Sequence, residues 1–83
     1  MTPHNRVTRL IHPEKLKQEL NESIDLFREQ LQLCTATDRE GRALFYGSAH
    51  GLLSALYVAG LIDQAEYQPR NAKLRAEFLA GRI

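Results

Sequence analysis

From Ala43 to Ile62 the chain runs for twenty residues without a Lys, Arg, Asp or Glu, and His50 is the single side chain there that titrates near neutrality. A run this long must be buried, either in a bilayer or against other helices. Its content argues against a membrane span: Ser48, His50, Ser54, three glycines and two tyrosines make its apolarity modest. The expectation is the central helix of a water-soluble core, with no membrane partner. Taken in steps of four, the run gives Ala43, Gly47, Gly51, Ala55 and Ala59, a ridge of small residues that lets another helix approach closely.

The segment before it has the shape of a matching partner. Leu16, Leu20, Ile24, Phe27, Leu31 and Cys34 recur at spacings of three and four, one stripe on an amphipathic helix, with Lys17, Glu22, Asp25, Arg28, Glu29 and Gln32 on the other face. Pro13 suits the first helical position, where its missing N–H costs nothing. Thr37 followed three residues later by Glu40 has the form of a capping box, so a second helix starts near Asp38. The short connection makes the two helices antiparallel neighbours. Phe45, Ala49, Leu52, Leu56 and Ala59 form the side of the second helix that matches the stripe of the first.

Gly60 is placed to end the second helix in a Schellman motif, with Leu61 returning to Leu56. Asp63 then caps a third helix, with Ile62 stapled to Tyr67. Pro69 lacks the N–H that the Ala65 carbonyl needs and clashes with it, a cost of about 3 kcal/mol, so a kink or break is expected near Gln68. The predicted fold is all-α: an antiparallel helical hairpin plus a third, Pro-kinked helix. One domain over 13–83 holds helices at about 13–34, 38–59 and 63–80, and residues 1–12 form a basic extended arm.

A chain of 83 residues buries only about 60–65% of its unfolded surface, so its own core is marginal. One cysteine, Cys34, excludes an internal disulfide framework, and His4, His12 and His50 lack the spacing of a metal site. Assembly is the remaining way to enlarge the core. The second face of the central helix, with Tyr46, Gly47, His50, Gly51, Ser54, Tyr57, Val58 and Leu61, is the expected homodimer interface, completing a dimeric helical bundle.

No catalytic constellation stands out. His50 has no Asp or Glu within one turn to orient it, and a histidine hydrogen-bonded to a tyrosine or serine in an interface fits its surroundings better than a general base. No phosphate-binding glycine loop, paired carboxylates or cofactor motif is present, so the expectation is a protein that is not an enzyme and takes no cofactor. The free thiol and the lack of an apolar leader before Pro13 point to the cytoplasm.

Charge is uneven. Residues 1–17 carry four cations against Glu14, 18–68 carry eight acids against three arginines, and 69–83 carry four cations against Glu77. Arg6, Arg9, Arg39, Arg42, Tyr67, Arg70, Lys73 and Arg75 are the expected exposed contacts to a partner. The basic ends raise nucleic acid as an alternative partner, but the third helix opens with Asp63 and Glu66, which repel phosphates where a recognition helix begins reading.

Phe45-Tyr46-Gly47-Ser48-Ala49-His50, followed by Leu52, Leu53 and Leu56, resembles a segment of the Hha/YmoA family. Members of that family are small helical modulators that act through a nucleoid protein. The resemblance implies a binding protein rather than an enzyme and carries over no functional residue. Together these readings predict a small regulatory or inhibitory adaptor that binds an unidentified protein, in the manner of phage- or plasmid-type accessory proteins such as anti-CRISPR inhibitors.

Overall fold

The computed structural model describes residues 12–80. They form three helices, α1 (Pro13–Leu33), α2 (Arg39–Val58) and α3 (Gln64–Ala80), with no strand among the described residues. The all-helical bundle is as the sequence predicts. Residues 1–11 of the expected arm, with Arg6 and Arg9, lie outside the described residues.

Helix α1 begins with Pro13 at its first position after His12, whose backbone is extended, and the His12 carbonyl accepts the first helical bond from Leu16 N–H at 2.9 Å. Its stripe is inward as the spacing requires: Ile24 and Leu31 are buried, and Leu20 and Phe27 are packed against the core.

The start of α2 differs from the predicted capping box. Asp38 is the cap, its carboxylate accepting from Gly41 N–H at 3.0 Å, while the Thr37 hydroxyl lies 3.3 Å from that of Thr35. A carboxylate at the cap position carries charge to the positive end of the helix, which a hydroxyl does not. A Cβ at Gly41 would run into the Asp38 carboxylate, so a side chain there displaces the cap.

The other boundaries follow the sequence. Gly60 has φ +75°, its N–H donates to Tyr57 O at 3.0 Å, and Leu61 N–H donates to Leu56 O at 2.9 Å, the two bonds of a Schellman motif. Asp63 caps α3 by accepting from Glu66 N–H at 2.8 Å. Helix α3 then runs through Pro69 as one element, so the expected break is not seen. The Ala65 carbonyl that loses its donor lies on an exposed stretch, where water can take the place of the missing N–H.

The core draws Ala49, Leu53 and Leu56 from α2, Ile24 and Leu31 from α1, Leu74 from α3 and Ile62 from the turn. Leu53 replaces Ala59 in the buried face; Ala59 is exposed because it lies past the last turn, where the chain leaves the core. Polar pairs fix the direction of α3. Asn21 with Arg70 and Arg28 with Glu77 are both separated by 49 residues, and Lys17 with Glu66 repeats that offset, so α1 and α3 run parallel and in constant register. Helix α2 lies antiparallel to both.

Candidate functional site

Helix α2 presents three faces, which follow from a rotation of about 100° per residue. One packs on α1, where Phe27 and Phe45 rings lie 6.3 Å apart. The second packs on α3: Tyr46 stacks on Phe78 at 4.4 Å and Tyr57 stacks on Tyr67 at 4.7 Å. The third faces away from both and is uncovered among the described residues. It holds Leu44, Gly47, Gly51, Ala55 and Val58, with Leu44 62% and Val58 84% exposed.

Among the described residues, the glycines of the small-residue ridge therefore serve no packing. A Cβ built at Gly47 or Gly51 meets nothing within 4 Å. Of the residues expected in a dimer contact, Gly47, Gly51 and Val58 are exposed on this outer face and Ser54 is half-buried at its edge. Tyr46 and Tyr57 are engaged with α3, His50 lies half-buried with its ring 5.9 Å from that of Tyr46, and Leu61 packs against the core. Between the two stacked pairs along α3 sits Asn71, whose Oδ1 is buried without a hydrogen-bond partner.

The expected contact cations do not form one patch. Arg42, predicted to be exposed, is a correction: only 6% of it is accessible. Its Nη2–H donates to the Phe78 carbonyl in the last turn of α3, and its guanidinium lies 5.7 Å from the Phe78 ring centroid. The signal for this was in the spacing, because Arg42, Tyr46, Ala49, Leu53 and Leu56 recur at intervals of four and three, one inward stripe that begins before the uncharged run. Arg70 is half-buried, donating to Asn21 Oδ1 at 2.7 Å with Glu66 at 3.5 Å. Tyr67 is half-buried, and Arg39, Lys73 and Arg75 are exposed.

At the end of the bundle where α2 begins and α3 finishes, Ala36, Arg39, Arg42, Ala43 and Phe78 line a cavity of about 560 Å³. The half-buried Cys34 thiol is near it. Burial first, then the charge of Asp38 and its hydrogen bond, hold that thiol above its ordinary range, while Arg42 pulls the other way. No group of three His, Cys, Asp or Glu capable of holding a metal occurs among the described residues, and none of their helices is long and apolar enough to cross a membrane.

No protein-family model, curated protein or solved structure matches this chain, and the short resemblance to the Hha/YmoA segment is not extended by any of these comparisons.

Proposed function

We propose that this chain is a small non-enzymatic adaptor, regulatory or inhibitory, that binds a partner protein and assembles as a homodimer through the outer face of α2. The observation that carries the reading is the pairing of exposed Leu44 and Val58 on a helix face with no charge between them and no cover among the described residues. Exposed apolar surface of this kind marks an interaction site.

The pattern of the face favours a second copy. About Gly51 it is symmetric in residue size: Gly47 and Ala55 lie four residues away on either side, and Leu44 and Val58 lie seven away. A twofold axis at Gly51 sets Leu44 of one copy against Val58 of the other, with small residues between them that let the helix axes come close. A core of seven buried hydrophobic residues has reason to be enlarged in this way. The nucleic-acid alternative rests on the basic ends, where Lys73 and Arg75 are exposed, Arg70 is held by Asn21 and Glu66, and Arg6, Arg9 and Arg82 lie outside the described residues. A cytoplasmic accessory protein of phage or plasmid type, such as an anti-CRISPR inhibitor, is the class this reading fits.

Mass in solution is the test. The wild-type chain is expected to sediment as a dimer at micromolar concentration, and Gly51→Leu or Val58→Glu as a monomer. Gly51→Leu keeps its helical content, because the space beside Gly51 is open among the described residues, and its melting temperature no longer depends on protein concentration. A wild-type mass of one chain overturns the assembly reading.

A further inference from the structure

The cavity between the start of α2 and the end of α3 joins two features that proteins seldom place together without a reason. Arg42 is more than nine-tenths buried, yet among the described residues no carboxylate lies within the 4.0 Å of an ion pair with it or with Arg39. A guanidinium has five N–H donors, and among the described residues Arg42 makes one such bond, to the Phe78 carbonyl. A carboxylate or phosphate at the opening matches the planar donor fork that remains.

The acidic neighbours are committed elsewhere. Asp38 accepts from Gly41 N–H and interacts with the Cys34 thiol. Glu77 is held by Arg28 and Gln32, and Glu40 is exposed on the first turn of α2. No buried nitrogen of Arg42 is left without a partner, so its remaining donors reach solvent, and the cavity is the opening that Arg42 lines. Arg39 stands exposed at the same opening. The other walls are apolar: the Phe78 side chain and the methyl groups of Ala36 and Ala43.

We propose that this cavity binds a small organic oxyanion, a carboxylate or phosphate monoester carried on a flat apolar body. The oxyanion sits on the guanidinium groups of Arg42 and Arg39, whose planar forks match its geometry, and the body lies against Phe78, Ala36 and Ala43. A volume of about 560 Å³ is in the range of small-molecule sites. The proposal does not depend on the adaptor reading or on the α2 outer face.

Titrations of the full chain followed by two-dimensional NMR test it, with benzoate and phenyl phosphate as probes and benzyl alcohol as the neutral control. Both anions are expected to give saturable shifts at the Ala36 and Ala43 amides and at the Arg42 Nε–H, and benzyl alcohol none. Arg39→Gln, which removes one fork, and Ala43→Leu, which fills the cavity, are each expected to weaken binding about tenfold or more. Both positions are exposed, so the amide fingerprint of the fold is retained. Absence of saturation with both anions, equal binding of benzyl alcohol, or affinity unchanged by both substitutions overturns the proposal.

Discussion

Arg28 and Glu77 form a two-pronged bridge between α1 and α3: Nε donates to Oε1 at 2.9 Å and Nη2 donates to Oε2 at 2.7 Å. Gln32 adds a third donor to Oε2 at 3.3 Å. The side chains are 27% and 18% exposed, which limits screening by water. Helix α3 packs more closely on α2 than on α1, so this bridge and the Asn21–Arg70 bond do much to set its direction along α1.

Acid should therefore loosen α3. The Arg28 hydrogen bond, and after it the Arg28 charge, hold the Glu77 carboxyl below its ordinary value of 4.5, against the opposing effect of burial. A depressed carboxylate contributes stability in full above its unfolded value and loses it as pH falls through its folded value. Arg28 is shifted upward, so its own contribution is intact throughout the acid range. Stability measured by urea melts is expected to decline below about pH 4.5 in the wild type, and less steeply in Glu77→Gln. At pH 7 the Arg28→Ala and Glu77→Ala pair should show a coupling of about 1–2 kcal/mol in a double-mutant cycle. Coupling near zero would mean the bridge is as weak as an ordinary surface pair.

The caps give a sharper contrast. Asp38→Ala removes the acceptor for Gly41 N–H and should cost about 1 kcal/mol, whereas Thr37→Ala, which removes the residue that the sequence pattern favours, should cost a few tenths. Gly60→Ala forces a side chain into φ +75° and should cost about 1 kcal/mol. Equal effects of Asp38→Ala and Thr37→Ala in thermal melts would show that the helix starts where the capping-box pattern places it.

These boundaries show what a sequence encodes directly. The Schellman turn at Gly60 and the Asp63 cap were legible because each depends on residues a few positions apart. The stripe on α1 was legible for the same reason. The inward position of Arg42 was obscured because charge normally signals a surface, and only the ring and carbonyl of Phe78, distant in sequence, make its burial tolerable. The cavity beside it was not legible at all, since Ala36, Arg39, Ala43 and Phe78 meet only once α3 has been laid parallel to α1. The uncharged run was correctly read as a helix, but the sequence does not say which of its faces an 83-residue chain can cover.

Asn71 offers a case in which removing a polar group helps. Its Oδ1 is buried with no donor, and an unsatisfied acceptor of this kind costs about 1–3 kcal/mol. Asn71→Leu exchanges it for an apolar group of similar size with better helix propensity. The variant is expected to be more stable by about 1 kcal/mol in urea, and a loss of stability would show that the oxygen has an ordered partner.

Pro69 makes a related prediction with the opposite backbone logic. It occupies the interior of α3, five residues beyond the first, and the helix continues to Ala80 without interruption. Proline there withholds a donor from the Ala65 carbonyl and crowds it, at a cost of up to about 3 kcal/mol. Part of that cost is returned because proline also restricts the unfolded chain, by about 0.4–1 kcal/mol. Alanine has the highest helix propensity and supplies the missing N–H. Pro69→Ala is therefore expected to gain about 1–2 kcal/mol, which for a domain of this size raises the melting temperature by about 5–10 °C. The side chain is exposed, so no core contact is lost to offset the gain. A lower melting temperature in Pro69→Ala would mean that the proline's effect on the unfolded chain outweighs the hydrogen bond it removes.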